Sequence, residues 1–356
     1  MGTFPQVLRE AGVYMKETMR AAVFKGEGQL SVEEVPVPKI ERPDQLIVRI
    51  EMCSICGTDV HIMEVPPGYV ATPGTILGHE LVGEVVETGA GVKKIKVGDR
   101  VVCNPNDYCG VCEYCRKNMP NFCTSLEAMG IDVNGGFAEY VRITEKVAYK
   151  IADDLPSEIA AFAEPLACFM NGRQKISVKP GDSVVICGAG AIGLMALQVL
   201  KQSGAKPIIV SEPFEGRRMK ARETGADIVV DPTKEDLIAI VKEQTGIGAD
   251  FAIDVVGSQL QTCIDSVHKG GTVLLFGVNA KAEQLIHQAD ITMNEIRVLG
   301  TWIANASFPL SVRLLESGLV DYRPLITHTF PLEQVAEGIE TLRKGEGIKI
   351  MIDPRL

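Results

Sequence analysis

Positive charge is what this chain is short of. Its 356 residues carry 36 Lys and Arg against 46 Asp and Glu, a formal net charge of −10. A surface with that balance repels nucleic acid and anionic membrane, so neither is expected as a partner. It does not exclude a phosphate-bearing ligand, because free amides at a helix N-terminus bind phosphate locally. Long apolar runs are also scarce. Residues 183–200 make an uncharged stretch of 18 residues, but Gly188, Gly190 and Gly193 interrupt it and its first half reads as a strand. A run of that length barely spans a bilayer, so no membrane segment is expected. Residues 1–20 contain Arg9, Glu10, Lys16 and Glu17 and no continuous apolar stretch, so no secretory signal is read there. There is no internal repeat and no low-complexity segment. What remains is a globular composition, 46% hydrophobic and 23% charged, in a chain long enough for two domains.

Cysteine is plentiful and unevenly spread. Seven of the ten cysteines lie from Cys53 to Cys123, and four of those fall within fifteen positions. Such clustering without a secretory signal points to metal and to a reducing, cytoplasmic compartment. Cys109, Cys112, Cys115 and Cys123 form C-x2-C-x2-C-x7-C, a spacing that wraps four thiolates around one tetrahedral zinc. An iron–sulfur run would read C-x2-C-x2-C-x3-C-P, and the fourth cysteine here lies too far along. A closed shell of four thiolates leaves no open coordination position, so this site is expected to be a folding staple.

The chain changes texture near Pro156. Before it, strand-like runs at residues 45–51, 80–87 and 100–103 are separated by Gly and Pro, and six prolines between Pro36 and Pro73 disfavour a long helix. This predicts a small β-barrel or sandwich. An Ala-rich helix is expected over residues 158–175. From residue 183 to 276 strands and helices alternate, beginning with strand 183–187 and helix 192–202, which predicts a doubly wound parallel sheet. The tail adds a helix at 310–317 and a strand at 348–352, expected to return to the first domain.

The apolar run Val184 to Cys187 leads straight into Gly188-Ala189-Gly190-Ala191-Ile192-Gly193. A lone G-x-G-x-x-G is weak, but here it has the strand before it and the helix after it that the dinucleotide fingerprint needs. Gly188 permits the turn, Gly190 lets a pyrophosphate approach, and Gly193 lets helix and strand pack; Ile192 lies within the same turn. Glu212 follows Gly193 by 19 residues at the end of the second strand. A carboxylate there accepts from both ribose hydroxyls and repels a 2′-phosphate, favouring NAD over NADP, with Arg217 and Arg218 nearby pulling the other way.

A second metal constellation is more dispersed. Cys56 sits in Cys56-Gly57-Thr58-Asp59-Val60-His61, and Gly78-His79-Glu80 follows. One thiolate, one imidazole and one or two carboxylates give zinc an incomplete shell with room for water or substrate. Cys53 and Cys56 also make a C-x-x-C, but no strand–turn–helix redox setting follows them.

At these residues the chain resembles the zinc-containing medium-chain alcohol dehydrogenases, nearest their sorbitol and threonine dehydrogenase branch. Cys56-Gly57-Thr58-Asp59, Gly78-His79-Glu80, the four-cysteine lobe, Glu164-Pro165-Leu166 and the glycine turn carry the likeness. The resemblance implies an α/β architecture, with a GroES-like catalytic domain over residues 1–168 completed by 305–356. A Rossmann domain over 169–304 is implied beside it. It implies Cys56 and His79 as zinc ligands, Glu80 as the third, and Glu164 as a fourth or acting through water. Zinc then acidifies the alcohol, a hydride passes to NAD, and Thr58 and His61 relay the proton. Asp59 is expected to orient the loop or a ligand. Homo-oligomers, dimers or tetramers, are implied as well. Sorbitol dehydrogenases carry an Arg-Tyr pair where this chain has Ile303-Ala304, so a smaller diol, a secondary alcohol or a cyclic polyol fits as well as sorbitol. Threonine 3-dehydrogenation is the alternative within this chemistry, and a zinc-free quinone-reductase relative or a non-catalytic one is the alternative outside it.

Overall fold

A computed structural model describes residues 16–356. Residues 1–15, most of the segment read as carrying no secretory signal, lie outside the described residues. Two sheets organise the rest. In the first, Gln45–Ser54, Glu80–Thr88, Arg100–Cys103 and Ala148–Lys150 pair antiparallel in turn, and Tyr140–Thr144 pairs with the other edge of Gln45–Ser54. Gln45–Ser54 is buried along nearly its whole length, as a central strand covered on both faces must be. The late strands Ile326–Pro331 and Lys349–Asp353 complete this sheet, with Met351 and Ile352 opposite Ser54 and Cys53. Chain segments far apart in sequence therefore share one sheet, and this is where the metal-ligand candidates lie.

An outlying hairpin, Thr18–Gly26 with Gln29–Pro36, packs beside that sheet. Its two-residue loop, Glu27-Gly28, has φ of 49° and 69°, the all-positive turn whose twist matches paired strands. The sequence reading does not anticipate it, because Glu-Gly lacks the Asn or Asp that usually announces this turn.

The second sheet has six parallel strands in the order Ile228–Val230, Ile208–Ser211, Val184–Cys187, Ala249–Asp254, Val267–Leu275, Arg297–Gly300. That is the doubly wound order in which ligands bind beyond the carboxyl ends of the strands. The uncharged residues 183–200 divide between strand Val184–Cys187 and helix Ala191–Gln202, and among the described residues no helix is long and apolar enough to cross a membrane.

The helix expected over 158–175 is two helices, Ser157–Ala160 and Ala163–Arg173. Pro165 explains the break: it has no N–H to bond the Ala161 carbonyl, so it is tolerated only in the first turn of a new helix. The second helix runs unbroken through 168–169, the position expected for a domain boundary. It is buried on most sides. One hydrophobic core extends along it, from Met52, Val82 and Val102 of the first sheet to Ile186 and Leu274 of the second. The Val335–Arg343 helix, unforeseen from sequence, covers the Ile350 side of the first sheet.

The C-terminal return is anchored by Phe308, fully buried and stacked on Tyr149 with ring centroids 4.9 Å apart. Truncating it to alanine (Phe308→Ala) is expected to cost about 3–5 kcal/mol. A urea titration checks this; an unchanged midpoint would show that the return does not depend on that stack.

Candidate active site

Cys56 ends the turn after strand Gln45–Ser54; His79 immediately precedes the neighbouring strand Glu80–Thr88, and Glu80 begins it. The strand pairing that sets Ser54 opposite Glu80 brings them together. Ligand atoms of Cys56, His79 and Glu80 lie within 4.8 Å of one another. Gly78 holds the approach: its φ is 87°, and a Cβ there would meet the Phe137 ring at 2.7 Å. Asp59 opens the short helix Gly57–Ile62 and serves two neighbours. Its Oδ2 accepts from the Cys56 amide at 2.9 Å, and its Oδ1 lies 4.0 Å from His79 Nδ1.

The pocket is rich in acidic groups and mostly buried: Asp59, His79, Glu80 and Glu164 are buried and Cys56 is half-buried. Burial pushes the Asp59 and Glu164 carboxyls up. Burial also opposes charge on His79, yet the Cys56 sulfur, Asp59 and Glu164 outweigh it and raise the imidazole well above its ordinary value. Asp59 Oδ1 and His79 Nδ1 are both buried with no hydrogen-bond partner among the described residues. A sulfur, an imidazole and a carboxylate converging where negative charge is in excess suit a borderline-soft cation such as zinc. Glu164 lies outside the three-donor group; its Oε1 is 3.2 Å from Cys168 Sγ. It is nonetheless buried and close enough to act on His79.

Thr58 Oγ1 lies 3.6 Å from Cys56 Sγ. His61, one turn further along the same short helix, is exposed, and its Nδ1 pairs with Glu64 at 2.9 Å. Glu64 also meets Lys281 Nζ at 3.4 Å, a contact from the first sheet's loops to the second's.

Cys109, Cys112, Cys115 and Cys123 converge with all four sulfurs within 4.8 Å. Backbone amides already point at them: Cys109 N and Ser125 N donate to Cys123 Sγ, and Cys112 N donates to Cys109 Sγ, at 3.3–3.4 Å. Amides of Cys115 and Thr124 draw the Cys112 thiol down to about 6. Cys115 is instead pushed up to about 12, by desolvation and then by its sulfur neighbours. Four thiols cannot all ionise here unless a cation sits among them, and so the donor set fits a closed tetrahedral metal.

At the glycine turn, Gly188 has φ of 109°, and a Cβ on Gly193 would stand 2.1 Å from the Gly188 carbonyl. A Cβ on Gly190 would meet nothing within 4 Å, so the space over the turn is open. Helix Ala191–Gln202 starts at Gly190 with no side-chain cap, leaving its first amides free. Ile192 is half-buried in that first turn. Glu212 is buried and reaches back: Ala189 N donates to it at 2.7 Å and Phe214 N at 3.0 Å. Arg218 is tied to Asp231 at 3.0 Å and to the Glu212 carbonyl at 2.9 Å. Arg217 lies over the exposed Phe214 ring, 5.4 Å from its centroid, and its Nε has no partner among the described residues.

Residues 42–153 match the alcohol dehydrogenase GroES-like domain and residues 191–317 the zinc-binding dehydrogenase family. The chain is similar to D-arabinitol dehydrogenase 1 of Uromyces fabae, 34% identical over 344 residues, 94% of this chain and 97% of that one. To an L-threonine 3-dehydrogenase of Caldanaerobacter subterraneus subsp. tengcongensis it is 36% identical, over 89% of this chain and 93% of that one. A zinc-binding dehydrogenase from Sinorhizobium meliloti 1021, solved with NADP, matches with a TM-score of 0.89 at 33% identity, covering 95% of this chain and 100% of that one. This chain belongs to the zinc-containing alcohol dehydrogenase family. It is an oxidoreductase of the alcohol and polyol class, built from a GroES-like domain and a Rossmann domain.

One residue of this dehydrogenase's site escaped the sequence reading. Lys349 is fully buried, and its ammonium contacts Glu80 Oε2, which Ser54 Oγ also reaches. The signal was a lone lysine in the apolar tail strand Lys349–Asp353, but nothing local shows that this strand docks against Ser54 and Glu80. Removing only the cation (Lys349→Met) strands the carboxylate, at a cost of about 3–5 kcal/mol. Thermal melts with and without a zinc chelator test this. The variant should lose more stability than the parent when zinc is removed. Equal losses would mean that Glu80 does not share its charge between lysine and metal.

Proposed function

We propose that this dehydrogenase oxidises a small polyol or secondary alcohol to the ketone with NAD as acceptor. The observation that carries the reading is the three-donor group Cys56, His79 and Glu80, an open shell buried in an anionic pocket. These residues would hold zinc, with Glu164 the nearby carboxylate that exchanges with Glu80 or acts through water. Zinc at that position supplies a Lewis acid that lowers the pKa of an alcohol. The nicotinamide supplies the hydride acceptor.

The chain's own groups do the rest. Asp59 fixes the Cys56 loop through the Cys56 amide and faces the outer nitrogen of His79, which sets how the imidazole is turned. Thr58 Oγ1, beside the Cys56 sulfur, accepts the alcohol proton as it gives up its own, and exposed His61 serves the last transfer to water. Gly188, Gly190, Ile192 and Gly193 offer the pyrophosphate an open turn and free amides. Glu212 receives the ribose hydroxyls, while Arg217 on Phe214 borders the adenosine. Arg218 is spent on Asp231, so it cannot favour a 2′-phosphate. Cys109, Cys112, Cys115 and Cys123 would hold a second, structural zinc.

The catalytic unit is read as residues 1–168 with 305–356 and the dinucleotide unit as 169–304. Two further readings accompany it: a cytoplasmic setting, which keeps the clustered thiols reduced, and a homo-oligomer. The oligomer is supported by edge strand Arg297–Gly300, which among the described residues has a neighbour on one side only, and by Leu285 and Met293, 99% and 80% exposed in the segment before it.

Metal analysis and NAD reduction across polyols, diols and threonine test the reading. Two zincs per chain are expected, falling to one in Cys56→Ser, with turnover of one alcohol class lost. Threonine turnover alone would favour the amino-alcohol alternative, and one zinc with no turnover would remove the catalytic site. Glu212→Ala should erode the preference for NAD over NADP by roughly 10–100-fold, the worth of a charge-assisted hydrogen bond. Light scattering on the same samples reads the oligomer; a monomer at all concentrations overturns that part.

A further inference from the structure

The segment after the last parallel strand follows a costly course. Ile303 and Ala306 have φ of 40° and 52°, the left-handed region that suits glycine and that a β-branched side chain enters only under compulsion. Two asparagines supply it. Asn171 Nδ2 donates to the Trp302 carbonyl at 3.1 Å and to the Ile303 carbonyl at 2.7 Å, and Asn121 Nδ2 donates to the same Trp302 carbonyl at 3.2 Å. Both asparagines are buried. Since every partner is a carbonyl, only the amide nitrogens can face them, which settles how each side chain is turned.

The two donors come from different places. Asn171 lies on helix Ala163–Arg173, two turns beyond Glu164. Asn121 lies in the short turn Pro120–Phe122 of the four-cysteine lobe, two residues before Cys123. The segment they hold leaves the second sheet at its carboxyl edge, where Thr301 N bonds the Leu275 carbonyl at 3.1 Å, the same edge as the glycine turn.

We propose that Asn121 and Asn171 are positioning residues that hold Trp302 and Ile303 in place beyond the carboxyl edge of the second sheet. Through Asn121 the cysteine lobe sets the position of this segment, so a metal that closed the lobe would act beyond folding, on substrate fit. That the segment borders the alcohol rests on the hydride-transfer reading; its attachment to the lobe does not.

Trp302 is the single tryptophan of the chain, so its fluorescence reads this segment without any turnover. The zinc-loaded full chain is compared with Asn171→Ala, Asn121→Ala and Asn121→Asp, the last removing the donor while keeping the shape. Expected are two zincs per chain, a shifted Trp302 emission maximum and acrylamide quenching raised about twofold or more. With an active substrate, KM should rise roughly tenfold while kcat changes little, the mark of lost binding alone. If Asn121→Ala sheds the lobe zinc, Asn121→Asp at full zinc content decides. Stripping the lobe with an organomercurial should move Trp302 emission in the parent and not in Asn121→Asp. Parent-like emission and quenching in both Asn171→Ala and Asn121→Asp overturn the proposal. Equal responses to stripping in the two chains overturn the lobe's part in it.

Discussion

Buried negative charge governs the centre of this molecule. Cys56, Asp59, His79, Glu80 and Glu164 are gathered where water is largely excluded, and one lysine, Lys349, is the cation among them. Burial pushes the Asp59 and Glu164 carboxyls up. A pocket with that imbalance is comfortable only when a cation joins it or protons are retained, as the raised imidazole of His79 expresses. The same imbalance that would burden a purely structural core suits a site that must hold a metal and then change its protonation during a reaction.

Meeting that constraint takes both ends of the described chain. Strands Gln45–Ser54 and Glu80–Thr88 bring the sulfur, imidazole and carboxylate together, and Lys349–Asp353 returns from the far end to set its lysine against Glu80. The helix Ala163–Arg173 carries Glu164 through the shared core and ties the first sheet to the second. Its buried position places one packed element between the strands that carry the metal-ligand candidates and the parallel sheet that ends in the glycine turn. The lobe follows a related logic on a smaller scale: amides aimed at sulfur draw Cys112 down while Cys115 is pushed up, and a closed shell of thiolates around a cation would resolve the competition.

Much of this was legible from residues alone because it depends on short-range geometry. Four cysteines at C-x2-C-x2-C-x7-C can hardly avoid one another, and a glycine turn between an apolar strand and a helix announces its own conformation. The parallel strands were readable because the alternation of strand and helix is itself the pattern. The hairpin at Glu27-Gly28, the broken helix at Pro165 and the helix Val335–Arg343 were harder, since weak turn chemistry and short elements leave little periodicity to read.

The sequence by itself determined the donor types, the thiolate cluster, the dinucleotide turn and the family to which they belong. Tertiary structure alone decided that Glu80 shares its charge with Lys349, that Glu164 turns toward Cys168 outside the three-donor group, and that Glu212 is tied to the Ala189 amide. It also decided that an asparagine of the cysteine lobe grips the carbonyl of Trp302. The physical reason is the same in each case. Local spacing dictates which groups can meet within a turn or two of chain, whereas the partner of a buried charge or a strained carbonyl is set by how distant strands and helices pack.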